Sequence, residues 1–282
     1  MINVKTAFAI VVMFLVAQLL GLYVGIQYLG LIEYGELPPV FENPESIGNP
    51  LFLFVYMMIS TAGILLLVKF WKPSVRGLEA FVVFFSSWIT FDFLFPVAIG
   101  YFSLGLILAI ILTLWKFFRP TILSQNVAAV ISGAGVGAVL GASFGIVPSL
   151  LFLVILCVYD FVSVFVTKHM VTLAKALTKT PMAFTIASPH KFKKATFVGT
   201  KGRKEKVHVF QLGVGDIVIP LMFSISLIRN FPVINSLFTI VGSTIALLLL
   251  IYFMSKKPRP LPALPFISMG TISGFILSML FL

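Results

Sequence analysis

Residues 148–168, PSLLFLVILCVYDFVSVFVTK, form an unbroken apolar run that carries one carboxylate, Asp160, and no basic residue before Lys168. A helix needs about 20 apolar residues to cross the hydrocarbon core of a bilayer. The stretch therefore has the length and composition of a membrane span with an acid set inside it. Such a group is expensive in lipid and marks a functional site by default. The rest of the chain repeats the pattern: apolar runs of similar length alternate with short polar punctuation over 282 residues, of which 60% are hydrophobic and 10% charged. With a mean hydropathy of +1.11, the chain has too little polar surface to cover a water-soluble globule.

Working outward from this run, the hydrophobic pattern predicts an all-α integral membrane fold of nine transmembrane helices: 5–31, 50–70, 78–95, 97–117, 125–145, 148–168, 208–229, 233–254 and 262–281. Only Pro96 and Gly100 separate the third span from the fourth. The expected organisation is one membrane domain over 1–282, with spans one to six in 1–168, a basic loop in 169–207 and spans seven to nine in 208–282. The run from Lys5 to Ile32 is longer than the apolar core of a signal peptide and is expected to be an uncleaved first span. Cys157, the single cysteine, lies inside an apolar run, which excludes an intrachain disulfide and a CxxC metal site.

The net charge of +11 would suggest a nucleic-acid partner in a soluble protein. Here the basic residues occupy the gaps between apolar runs, so they read as topology signals and as contacts to anionic membrane lipid, and no nucleic acid is expected. With the N-terminus cytoplasmic, the alternation of spans collects Lys5, Lys69, Lys72, Arg76, Lys116 and Arg119 on one side. The lysines and arginines of 191–206 and 256–259 join them, and Arg229 falls opposite, with Glu33, Glu36, Glu42 and Glu45 of the first loop. An N-terminus in the cytoplasm and a C-terminus outside follow. The start of the long polar segment, HMVTLAKALTKT from His169, suits a short interfacial helix, and the remainder reads as a basic loop.

Span five carries Gly133, Gly137, Gly141 and Gly145 at four-residue spacing. On a helix this makes a smooth ridge for close backbone approach. The string GAGVGAVLG also imitates a nucleotide-binding glycine loop, but neither the preceding strand nor the following acid of a dinucleotide site is present.

Of nine acidic residues, three lie inside apolar runs: Asp92, Asp160 and Asp216. Taking both spans as helical, Asp160 precedes Lys168 by eight residues and Asp216 follows His208 by eight, which puts each ~12 Å from the cytoplasmic helix end at 1.5 Å per residue. Asp92 lies deeper by the same count, and a packing role is expected for it, bonded to Ser86, Ser87 or another helix. Two carboxylates converging in a low-dielectric site do not both ionise comfortably, so they share a proton and titrate as a unit. That arrangement hydrolyses a peptide bond without metal or cofactor: the ionised member draws a proton from water and the protonated member polarises the carbonyl. Charge alone leaves an alternative open, a proton-coupled transporter or cation channel that uses the same aspartates as a relay.

The local strings favour hydrolysis. Tyr159-Asp160, then Leu212-Gly213-Val214-Gly215-Asp216, then Pro262-Ala263-Leu264 occur in that order on spans six, seven and nine. These YD, GxGD and PAL elements resemble the presenilin and signal peptide peptidase family of GxGD intramembrane aspartyl proteases, and the N-inside orientation in so compact a chain is most similar to archaeal presenilin homologues. The resemblance implies that Asp160 and Asp216 are the catalytic pair and that Pro262, Ala263 and Leu264 line the site. It further implies single-span membrane proteins or signal-peptide-like segments as substrates, a prokaryotic and archaeal cell membrane as the location, and a homo-oligomer as one possible assembly. A prepilin-type aspartyl peptidase also uses a GxGD string but has fewer spans and no PAL element.

Around these strings, Gly213 and Gly215 remove side chains ahead of Asp216 so that another backbone can approach. Pro220 has no N–H for the Asp216 carbonyl and is expected to bend span seven. Tyr159 either donates to a carboxylate or packs. Cys157 is expected in the core, and His169, His190 and His208 lack metal-ligand spacing. Pro258, Pro260, Pro262 and Pro265 predict extended backbone before about Phe266, with the Ala263 and Leu264 N–H groups free to pair with an unwound substrate.

Overall fold

The structure is a computed structural model that describes residues 4–70, 72–100, 102–166, 185–189, 209–256 and 261–281. Nine α-helices are present among these residues: α1 (Val4–Glu33), α2 (Gly48–Phe70), α3 (Lys72–Leu94), α4 (Leu104–Phe118), α5 (Ile122–Ser143), α6 (Ile146–Phe161), α7 (Gly215–Ser226), α8 (Val233–Lys256) and α9 (Ala263–Phe281). Among the described residues, six helices are long and apolar enough to cross a membrane: Thr6–Glu33, Arg76–Leu94, Ile122–Ser143, Ile146–Phe165, Val233–Lys256 and Ala263–Phe281. Gly48–Ile64 and Leu104–Phe118 are shorter apolar helices. The expected interfacial helix from His169 lies outside the described residues.

Two helix starts fall seven residues later than the hydropathy pattern places them, at Leu104 and Gly215, each for a backbone reason. The fourth span opens at Leu104 rather than 97, because β1 (Ala98–Ile99) pairs antiparallel with β2 (Phe102–Ser103). Gly100 supplies the positive φ of 64° that this hairpin requires. The Ser103 hydroxyl then accepts from the Leu106 N–H at 3.1 Å, capping α4. The seventh span is helical only from Gly215, because Val209–Gly213 is strand β4, paired antiparallel with β3 (Thr185–Pro189). Segment 185–189, read from sequence as part of a basic loop, is thus ordered as strand.

Strands at membrane depth survive only where protein covers their backbone. Ile186 of β3 and Leu212 of β4 are fully buried in a cluster with Ile10 and Phe14 of α1, Ala129 and Val130 of α5 and Ile217 of α7. Helix α7 is the most enclosed element. Every residue from Ile217 to Ser226 is buried, consistent with a sequence apolar on all faces. Helix α5 wraps one side of it, and the glycine ridge is where they meet: a Cβ at Gly137 would strike Leu221, and one at Gly141 would strike Ile225 and the Met222 carbonyl. Gly145 instead faces Glu45 of the loop before α2, whose Pro44 carbonyl accepts the Gly145 N–H at 2.9 Å.

Lipid tails are as apolar as leucine, so close packing and interhelical hydrogen bonds rather than burial from water hold such helices together. Ser149 and Ser226 share a 2.7 Å bond between α6 and α7. Thr239 donates to Ser224 at 2.7 Å, and Asn235 to Ser278 at 2.9 Å. At about 0.6 kcal/mol each, these bonds matter less than the seam between α8 and α9, where a Cβ on Gly270 would meet the Gly242 carbonyl and the Ala246 methyl. Gly270→Ala is expected to cost about 1–3 kcal/mol by overpacking. Thermal unfolding in detergent, with Gly63→Ala in the open space of α2 as the silent control, checks this; equal midpoints for both variants would refute it.

Candidate active site

Asp160 lies in the last α-helical turn of α6, which ends at Phe161 and runs into a π-helical turn at Val162–Val166. Such turns relieve the regular backbone and recur at functional sites. Asp216 stands in the first turn of α7, directly after β4. Its depth is therefore reached through extended chain at ~3.3 Å per residue and not through the helical rise assumed from sequence. Val209 and Phe210 suit a strand, and pairing with Thr185–Pro189 makes it one.

The two carboxylates lie within electrostatic range of each other, and Cys157, one turn before Asp160, lies near both. The Leu264 N–H donates to Asp160 Oδ2 at 3.3 Å, and the Asp216 carboxylate lies against Gly213. Both aspartates are half-buried. A Cβ at Gly213 would sit 3.3 Å from Asp216 Oδ2, whereas one at Gly215 would meet nothing within 4 Å. Gly213 therefore lets the carboxylate lie against the strand end, and Gly215 borders open space.

Pro262 is buried just ahead of α9. Ala263 packs against the cluster that contains Ile217, and Leu264 belongs to the cluster of Leu156, Val218 and Ile219. The PAL segment is thereby wedged between α6 and α7 beside the acids. One sequence expectation fails here: α9 is helical from Ala263, so 263–265 is not extended, and the Leu264 N–H is engaged by Asp160. The first-turn N–H groups of a helix have no intrahelical acceptor, which is why a helix start and a carboxylate partner coexist. Tyr159 stacks edge-on with Phe54 of α2 at 6.0 Å and makes no hydrogen bond among the described residues. Asp92 approaches Gly105 of α4. Its Oδ1 is buried without a hydrogen-bond partner among the described residues. The Ser86 and Ser87 hydroxyls donate instead to carbonyls of their own helix, among them Val82 and Val83.

Two glutamines missed by sequence reasoning brace this site. Gln18, fully buried on α1, donates to the Ile217 carbonyl at 2.9 Å. Gln125 on α5 donates to the Thr185 carbonyl at 2.9 Å and to its hydroxyl at 3.1 Å. A neutral amide in an apolar run is a weaker signal than a charge, but its cost in lipid is the mark that points to it.

The sequence matches the family described as signal-peptide peptidase, presenilin aspartyl protease, over residues 11–282. The chain belongs to this family. It is accordingly a GxGD-type intramembrane aspartic endopeptidase and a multi-pass integral membrane protein. Among solved structures it is similar to a presenilin family intramembrane aspartate protease in the C222 space group, at 24% identity and a TM-score of 0.71, covering 98% of this chain and 99% of that one. A presenilin family intramembrane aspartate protease in the P2 space group is similar at 24% identity and a TM-score of 0.67, covering 95% and 97%. These likenesses support the presenilin-type fold. No curated protein matches the chain.

Proposed function

We propose that Asp160 and Asp216 together hydrolyse peptide bonds of transmembrane helical substrates by general acid/base chemistry. The observation that carries this reading is the pair itself: two carboxylates in mutual range, Asp160 held by the Leu264 N–H and Asp216 set against Gly213, beside the open space at Gly215. The ionised carboxylate takes a proton from water as the water oxygen bonds to the scissile carbonyl carbon, and the protonated carboxylate gives its proton to the carbonyl oxygen. A proton then passes to the amide nitrogen, the C–N bond breaks, and the second product leaves as a carboxylic acid.

A helical peptide bond is shielded by its own hydrogen bonds, so the substrate must unwind before it is cut, and its freed backbone groups then need partners. Strand β4 pairs with β3 on one edge and is unpaired on the other among the described residues. The role assigned from sequence to an extended PAL segment passes to this edge, which ends three residues before Asp216 and suits pairing with an extended peptide. Single-span membrane proteins and signal-peptide-like segments have the required form. The transporter alternative finds no support in the family or the fold.

Purified protein in liposomes is expected to cut a generic single-span peptide, as judged by mass spectrometry of the products. Absence of any product across several such peptides would count against the reading. The basic connections are proposed to face the cytoplasm. Single cysteines placed at 190–206 and at 33–48, on a Cys157→Ala background, should then label from opposite faces of oriented vesicles, the first from the cytoplasmic side. Labelling of both from one face would overturn the orientation.

A further inference from the structure

The dyad reading leaves open what holds Asp216 in place, since its helix starts at Gly215 and its first turn has no regular structure before it except β4. A two-stranded ribbon is marginal alone, and this one depends on what grips β3. From the geometry we infer that Gln125 is a positioning residue for Asp216, acting through β3 and β4 without touching the reacting atoms; the inference rests on the dyad reading above.

The contacts form one continuous line. Gln125 is 6% exposed and projects from the first turn of α5, a turn fixed by the Thr121–Ser124 capping box. Its Nε2 donates to both the carbonyl and the hydroxyl oxygen of Thr185. Two acceptors on one residue define the height and the rotation of that strand end. Thr185 is the register partner of Gly213, and Gly213 is the residue against which the Asp216 carboxylate lies, an added Cβ there coming within 3.3 Å of Oδ2. Ile186 and Leu212, the next register pair, are buried against Ala129 and Val130 one turn further along α5. The apolar pair resists lifting of the ribbon, but smooth apolar surfaces do not resist sliding along it. Directional bonds to Thr185 do, and a slide of the strand end carries Gly213 and the carboxylate with it.

A displacement of about 1 Å at a reacting group costs on the order of 100-fold in rate, so loss of the amide should appear in turnover. Gln125→Met keeps the length and the apolar packing of the side chain and removes both donors. It is expected to lower kcat roughly 10- to 100-fold on a helical membrane peptide, with KM changed less than about twofold and the thermal midpoint near wild type, because the ribbon core remains. Gln125→Asn, which retains an amide withdrawn by one methylene, is expected to fall between wild type and Gln125→Met in kcat, again at constant KM. A purely structural role would lower the midpoint or the folded yield and leave kcat per folded molecule alone. Wild-type kcat in folded Gln125→Met overturns the inference; should that variant fail to fold, wild-type kcat in Gln125→Asn does so. Asp216→Ala, measured in parallel, separates the two readings: activity there refutes the dyad, whereas an inactive Asp216→Ala beside fully active Gln125 variants refutes only the positioning role.

Discussion

Asp160→Ala and Asp216→Ala are each expected to abolish cleavage, with a fall in kcat on the order of 10⁴-fold, the upper end of what one positioned acid or base contributes. The loss should be this large because the two carboxylates act on one proton: removing either takes away the base that activates water or the acid that polarises the carbonyl, and the survivor has no partner with which to exchange roles. The double variant should be no worse than either single one, as for other groups that work as a unit. Folding should survive. Both residues are half-buried, and the Leu264 N–H released by Asp160→Ala is a first-turn donor that no helix satisfies internally. Cleavage of a reconstituted single-span peptide, with thermal midpoints recorded on the same preparations, checks this; a tenth of wild-type activity in either folded variant would refute the assignment.

The second large effect is expected at Leu264, where side chain and backbone can be separated. Leu264→Ala removes a buried side chain from the cluster shared with Leu156, Val218 and Ile219 and should destabilise by about 2–5 kcal/mol while leaving the N–H on Asp160. Leu264→Pro removes that N–H as well. Proline is tolerated in the first helical turn, and Leu264 already stands helical before Pro265. A hydrogen bond to a charged group is worth about 1.5–3 kcal/mol, so Leu264→Pro should turn over roughly 10- to 100-fold more slowly than Leu264→Ala, with the difference in kcat rather than KM. Equal turnover per folded molecule in the two variants would show that the Leu264 donor has no part in the chemistry.

Much of this was legible in the chain itself. The number of helices follows from apolar runs of membrane-spanning length, because in lipid a backbone must satisfy its own hydrogen bonds and a long apolar run has few alternatives to helix. Asp160 and Asp216 stand out for the same reason: a carboxylate in such a run is costly, and two of them in YD and GxGD strings leave few chemistries. The ridge at Gly137 and Gly141 was equally visible, since spacing by four places residues on one helix face irrespective of the partner.

What only the tertiary structure decided concerns pairing between distant segments. Strand β4 lies inside what hydropathy reads as the start of span seven, and apolarity does not distinguish strand from helix. The choice was made by Thr185–Pro189, which pairs with it from across the basic segment, and by the cover that α1 and α5 lay over both strands. The helical start of α9 at Ala263 was hidden by its prolines, whose local bias was overridden once Asp160 accepted the Leu264 N–H and the two flanking clusters closed on Ala263 and Leu264. The bonds of Gln18 to Ile217 and Gln125 to Thr185 cross 199 and 60 residues of chain. A local pattern records that an amide sits in an apolar run, but which carbonyl it meets is set by how the helices pack.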